Sequence, residues 1–274
     1  MKSIFSKIIL HICLFVLAVI ILIPFVYVLL ISFGKNVVDT STVIPEQLTL
    51  DNYIRLFTQT DFLNWLKNSL IVSFGAMIIS VILVSVTVYV LSRLKFRGRS
   101  ALFQFILLIQ IFPLTLSMVS LFHIFMRLNL VNRLFGLVLV DSALASAGLI
   151  LLAKGYFDTI PYELDEAAMI DGANQFQIIA KITLPLAKPM LSVVALQSFV
   201  ISYNEYVIAS TVMSEGLENL PLSVALQSMI TGQYGQNWSQ YCAAAVLGSL
   251  PMLLLFYSMQ KYFIGGLTEG SVKM

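Results

Sequence analysis

Apolar positions gather in six long runs, at about residues 8–33, 66–91, 101–126, 134–153, 190–213 and 241–260, with polar stretches between them. Each run meets or exceeds the roughly 20 residues that carry a helix across a hydrocarbon core of about 30 Å. Lipid offers no partner to an open backbone N–H or C=O, so each run is expected to be helical. The alternation of a barrel strand is absent, and the runs far exceed such a strand in length. The pattern predicts an all-α polytopic membrane protein with six transmembrane helices. Pro24 and Pro113 fall inside runs, where kinks are expected.

Basic residues orient the spans. With the N-terminus inside, the inner segments carry Lys2, Lys7, Arg93, Lys95, Arg97, Arg99, Lys154, Lys181, Lys188, Lys261 and Lys273, against Lys35, Arg55, Lys67, Arg127 and Arg133 outside. That excess obeys the positive-inside rule and predicts that both termini are cytoplasmic. The opening stretch, two lysines before an apolar run, resembles a signal peptide only superficially. The run is far longer than a signal core and no small-residue cleavage site follows, so it reads as a retained anchor.

Composition narrows the classes. Of 274 residues, 59% are hydrophobic and 11% charged, against about 25% charged in soluble domains. An ordinary soluble enzyme and a disordered chain are excluded. A net charge of +2 is too small for a nucleic-acid footprint, so no nucleic-acid partner is expected. Cys13 and Cys242 fall on opposite sides of the bilayer in this topology, and no C-x-x-C pair occurs. His11 and His123 lie in apolar surroundings with no metal-binding spacing, so no metal site is expected. There is no nucleophile elbow and no phosphate-binding G-x-x-x-x-G-K-[ST] loop, so neither catalytic residues nor a cofactor is assigned to this chain. With no linker or short-period repeat, the chain reads as a single transmembrane domain over residues 1–274.

Three polar segments stand out by length. The first, residues 34–64, holds a predicted short helix near residues 51–57. The last outer segment, residues 214–240, has no Lys or Arg and is rich in amides and aromatics. The inner segment, residues 158–189, carries the most structured signal. Asp158 or Thr159 is expected to cap a helix whose first turn takes Pro161, with Glu163, Asp165 and Glu166 complementing the dipole. Gly172 is expected to end that helix in the left-handed conformation. Asn174 and Gln177 are spaced as a capping box for a second helix, which is expected to stop at Leu184-Pro185.

Within this segment, Glu166-Ala167-Ala168, then Asp171-Gly172-Ala173, then Ile182-x-Leu184-Pro185 resemble the EAA loop of ABC importer permeases. Further stretches resemble the carbohydrate-uptake branch, in particular the smaller maltose/maltodextrin-type permease. They are Trp65-Leu66-Lys67-Asn68-Ser69-Leu70, Lys154-Gly155-Tyr156-Phe157, Leu220-Pro221-Leu222-Ser223-Val224-Ala225-Leu226, and Gly265-Gly266-Leu267-Thr268-Glu269-Gly270-Ser271-Val272-Lys273. The likeness runs from about residue 48 to the end. Tyr203 departs from it, since many sugar permeases have Trp before the Asn-Glu pair.

The resemblance implies a type I ABC importer fold in the cytoplasmic (inner) membrane, with a coupling helix between spans four and five. That helix docks in a groove of a cytoplasmic ATPase subunit and rocks as the ATPase dimer closes. ATP and Mg would then be bound by the ATPase, not by this chain. Implied partners are a second, larger permease forming a heterodimer, the ATPase dimer, an extracytoplasmic sugar-binding protein and membrane lipid. Maltose or maltodextrin is the first expected solute, with galacto- or other oligosaccharides and glycerol phosphate as alternatives. In the same family the last outer loop reaches into the binding protein, which nominates Thr231, Gly232, Gln233, Tyr234, Gly235, Gln236 and Asn237 as the tip, and the tail at 271–274 approaches the ATPase.

Intramembrane polar residues are costly and often functional. Asp141 either faces a neighbouring helix or contacts substrate. Tyr203, Asn204 and Glu205 either supply stacking and hydrogen bonds to sugar hydroxyls or make interhelical contacts. An ion-coupled secondary transporter is the alternative class, but it needs inverted repeats and midplane ion ligands; an intramembrane enzyme would need a reactive constellation. The spans offer no clear example of either.

Overall fold

A computed structural model describes residues 2–35, 44–111, 114–214, 216–231 and 237–269. In chain order its helices are α1 (Lys2–Ser32), α2 (Asp51–Gln59), α3 (Phe62–Arg93), α4 (Arg99–Ile111), α5 (Met118–Arg127), α6 (Leu134–Phe157), α7 (Glu163–Ile170), α8 (Gln175–Ile178), α9 (Leu184–Leu186), α10 (Lys188–Tyr203), α11 (Val207–Val212), α12 (Leu222–Ile230) and α13 (Trp238–Glu269). A π turn, Ile179–Thr183, joins α8 to α9. Among the described residues the one strand-like pairing is an isolated bridge between Gly34 and Leu48. The fold is all-helical.

Four described helices, Ser6–Ser32, Phe62–Arg93, Leu134–Phe157 and Trp238–Tyr262, are long and apolar enough to cross a membrane. A fifth candidate is the pair Gln175–Leu186 and Lys188–Tyr203, bent by 78°. Two apolar runs differ from the uninterrupted helices expected of them. Run 101–126 is divided into α4 and α5, with a 3-10 turn at Leu114–Ser117; the kink expected at Pro113 lies outside the described residues. Run 190–213 is broken at residues 204–206. Glu205 explains that break: its carboxylate accepts from the N–H groups of Ile208 (2.7 Å) and Ala209 (2.9 Å), capping α11. Its own carbonyl accepts from Ser223 Oγ at 2.6 Å, so the interruption leaves that group satisfied. By contrast α1 is unbroken through Pro24.

The chain divides into two compact units, Met1–Leu63 with Ala225–Leu250 and Asn64–Val224 with Pro251–Met274. In the first, buried Asn52 of α2 donates to the carbonyls of Ser32 (2.9 Å) and Gly34 (2.8 Å), tying the predicted short helix beneath the end of α1. Ile31 and Cys242 are buried there among Tyr27, Val28, Trp238 and Tyr241.

The core of the second unit lies where α3, α6 and α10 meet, with Val84, Val88 and Leu91 packed among Ala145, Leu149, Ala153, Phe157, Met190 and Val194. At the other end of α3, Trp65 Nε1 donates to the Leu217 carbonyl at 2.7 Å. Asn68 donates to Leu220 O at 3.3 Å, and Ser69 Oγ accepts from Leu222 N–H at 2.7 Å. Two stretches quoted for the family resemblance, 65–70 and 220–226, therefore meet in space. The helix α12 that follows was not foreseen from the sequence.

Candidate functional site

The segment between α6 and α10 is an elbow of short helices whose ends follow local backbone chemistry. The helix α7 closes with a Schellman arrangement: Gly172 N–H donates to Met169 O (3.1 Å) and Ala173 N–H to Ala168 O (2.9 Å). Gly172 takes φ +81°, as its position required. Asn174 and Gln177 form the expected capping box, each side chain bonded to the other's backbone N–H at 2.9 Å.

Two boundaries are corrected. Neither Asp158 nor Thr159 caps α7, which begins at Glu163 after Tyr162. Asp158 instead pairs with Lys154 at 2.5 Å, and Thr159 Oγ1 donates to Tyr156 O at 2.7 Å, so both finish α6. The second helix does not stop at Leu184-Pro185. Pro185 has no N–H to offer the preceding turn, and the backbone widens into the π turn, with Leu184 N–H donating to Ile179 O. The chain then continues to Leu186 before bending into α10.

Burial divides the motif residues. On α7, Asp165 and Ala168 face inward, three positions apart, while Glu166 and Ala167, and Asp171 just past its end, are exposed. Ala173, Ile182 and Leu184 are half-buried and Pro185 is exposed. Leu184 and Pro185 line a cavity of about 370 Å³ with Val81, Lys188, Leu191 and Met259. Ile170 (86% exposed) and Phe176 (77% exposed) project two large apolar side chains from the elbow, flanked by Glu163, Glu166 and Asp171.

The residues binding the elbow to the bundle went unrecognised in the sequence. Arg93, the last residue of α3, pairs through Nε with Asp165 Oδ2 at 2.7 Å, with both side chains almost wholly buried. Its Nη2 donates to Ile160 O at 2.9 Å, and its guanidinium lies 5.7 Å from the centre of the Tyr162 ring. Thr183 Oγ1, in the π turn, donates to Asp165 Oδ1 at 3.4 Å. One turn earlier on α3, Tyr89 OH donates to Gln175 Oε1 at 2.8 Å. In the sequence Arg93 reads only as a charge that orients the membrane spans. A Tyr and an Arg one turn apart at the end of an apolar run were the available clue.

The polar residues nominated within the spans are only partly assembled. Asp141, 2% exposed, accepts from Ser202 Oγ at 2.6 Å, joining α6 to α10. Its other oxygen accepts no hydrogen bond from a described residue. Tyr203 is buried and stacks on Phe199 with centroids 5.4 Å apart. Asn204 is exposed and folds back onto Val200 O at 2.8 Å, while Glu205 caps α11. Of the nominated tip, Thr231 is exposed and Asn237 half-buried; Asn237 Oδ1 accepts from Gln240 N–H at 3.0 Å, at the start of α13. Gly232, Gln233, Tyr234, Gly235 and Gln236 lie outside the described residues, as does the tail at 271–274. Among the described residues no group of His, Cys, Asp and Glu has the arrangement of a metal site.

Comparison with known proteins gives this geometry a context. Residues 89–268 match the family described as binding-protein-dependent transport system inner membrane component. The maltodextrin transport system permease protein MdxG of Bacillus subtilis is 37% identical over 225 residues, covering 82% of this chain and 81% of that protein. The galactooligosaccharides transport system permease protein GanQ of the same organism is 35% identical over 266 residues, covering 94% and 92%. A chain from the crystal structure of a bacterial ABC transporter involved in import of the acidic polysaccharide alginate superposes with a TM-score of 0.78 at 25% identity. That superposition covers 96% of this chain and 98% of the other.

Proposed function

We propose, from the premise that this chain belongs to the binding-protein-dependent transport system inner membrane component family, that it is a permease subunit of an ATP-driven sugar importer. Maltose, maltodextrin or a related oligosaccharide is the solute this reading favours, in keeping with relatives named for maltodextrin and galactooligosaccharide transport. The chain acts as one non-catalytic permease domain with six spans and both termini cytoplasmic. In that topology α4 and α5 together make span three, and α10 with α11 makes span five. A second permease completes the path, an extracytoplasmic binding protein delivers the sugar, and a cytoplasmic ATPase dimer binds ATP and Mg.

The observation that carries the coupling role is the exposed pair Ile170 and Phe176 on a carboxylate-flanked elbow. Large apolar side chains at such exposure suit a protein partner. Glu166 and Asp171 offer acceptors to basic groups of that partner, and Ala167 leaves room for close approach. Gly172 sets the angle between the two arms. In the same reading Asp141, Tyr203, Asn204 and Glu205 shape the wall of the path, and the 231–237 loop meets the binding protein.

The test is Gly172→Pro in the reconstituted complex. Proline fixes φ near −65°, which the observed φ of +81° does not allow. Sugar-stimulated ATP hydrolysis and uptake should both fall at least about tenfold, the scale of a modest coupling energy. Unchanged hydrolysis and uptake would remove the elbow from the mechanism.

A further inference from the structure

The elbow is joined covalently to α6 and to α10, so its movement has an obvious route into those helices. A third route is non-covalent. The Arg93 guanidinium closes on Asp165 of α7 and on the carbonyl of Ile160, and Asp165 in turn accepts from Thr183 of the π turn. Tyr89, one turn back on α3, reaches Gln175 of α8. Two successive turns of α3 therefore hold both arms of the elbow, through groups withdrawn from water at the ion pair itself.

We propose that Arg93 is a positioning residue that clasps the elbow to α3, so that displacement of the elbow is delivered to span two as well as to spans four and five. The physical reason is asymmetry of cost. A buried guanidinium and carboxylate lose heavily if separated, because each becomes an uncompensated charge away from water. Bending at the 78° turn into α10 disturbs no buried charge. Strain applied at the exposed Ile170–Phe176 face is therefore taken up elsewhere while the elbow and the Arg93 end of α3 travel as one body. This rests on the elbow being the element an ATPase drives.

The experiment uses the complete complex in proteoliposomes and measures sugar taken up per ATP hydrolysed. Asp165→Asn and Arg93→Lys should each lower that ratio about tenfold in complexes that still retain the ATPase, the range expected of a lost coupling contact. Asp165→Glu, which keeps the charge, should stay close to the native ratio. An unchanged ratio in assembled Asp165→Asn and Arg93→Lys complexes overturns the proposal.

Should those variants fail to assemble, spin labels at Lys95 and at Met169 of α7, 40% exposed, decide, with Cys13 and Cys242 replaced by serine. Their separation should be the same in nucleotide-free and ATP-trapped complexes. A separation that changes between the two states shows the elbow sliding on α3 and overturns the clasp. If the native complex takes up no sugar with ATP, the importer reading fails instead. The label separation in the purified chain, with and without Asp165→Asn, then still tests the clasp: it should broaden only in the variant, and a distribution that is equally sharp in both overturns it.

Discussion

The helices α1 and α3 are close to equal in length and, by hydropathy, interchangeable as membrane spans. Their most apolar windows have mean hydropathies of 3.2 and 2.5, yet 6% of the first and 39% of the second is buried within this chain. The more apolar helix is the less packed. The difference lies in a stripe: Ser69, Ser73, Ala76, Ser80, Val84, Val88 and Leu91 recur every three or four residues on α3, and all are buried. The serines and Ala76 of that stripe let neighbouring backbones come close, as at Ser80 Oγ, which donates to Ser142 O on α6 at 3.2 Å. Between residues 8 and 30, α1 offers no such stripe, and its Leu, Ile and Phe side chains stand exposed around its circumference. Apolarity decides whether a helix enters lipid; small residues decide whether it packs against its own chain.

That contrast is broken most severely at the end of α3. Arg93→Ala strands the buried Asp165 carboxylate, and the loss should be about 3–5 kcal/mol, read as a lower unfolding temperature of the detergent-purified complex. A smaller effect is expected from Ser80→Leu, which forces a branched side chain into the fully buried contact with α6. Overpacking of that kind costs about 1–3 kcal/mol, measured by the same unfolding assay. Leu14→Ala on α1 should change stability by less than about 0.5 kcal/mol, because the side chain is 54% exposed and leaves no cavity in this chain. A large effect of Leu14→Ala in the complex but not in the isolated chain would sharpen the comparison, identifying that face of α1 as one covered by a second subunit.

Much of the elbow was legible because its signals are local. The Gly172 turn and the Asn174–Gln177 box each act within a few residues, where backbone geometry leaves little choice. The start of α7 is not legible in the same way, because Asp158 and Thr159 have a second local use, finishing α6, and spacing does not rank one use above the other. The break after Tyr203 was missed because hydropathy registers apolar residues and not where a carboxylate such as Glu205 turns to cap the next helix.

Taken alone, the order of residues determined the apolar runs, the family likeness and the punctuation of the 158–189 segment, since each follows from hydration of side chains or from hydrogen bonds spanning a single turn. Tertiary structure alone decided that Arg93 meets Asp165, that Tyr89 meets Gln175, and that Asp141 accepts from Ser202. Those partners are distant in the chain, and a charge or hydroxyl carries no mark of which distant group will satisfy it. The choice is made when close-packed helices exclude water and leave one geometry in which the buried charges of Arg93 and Asp165 meet each other.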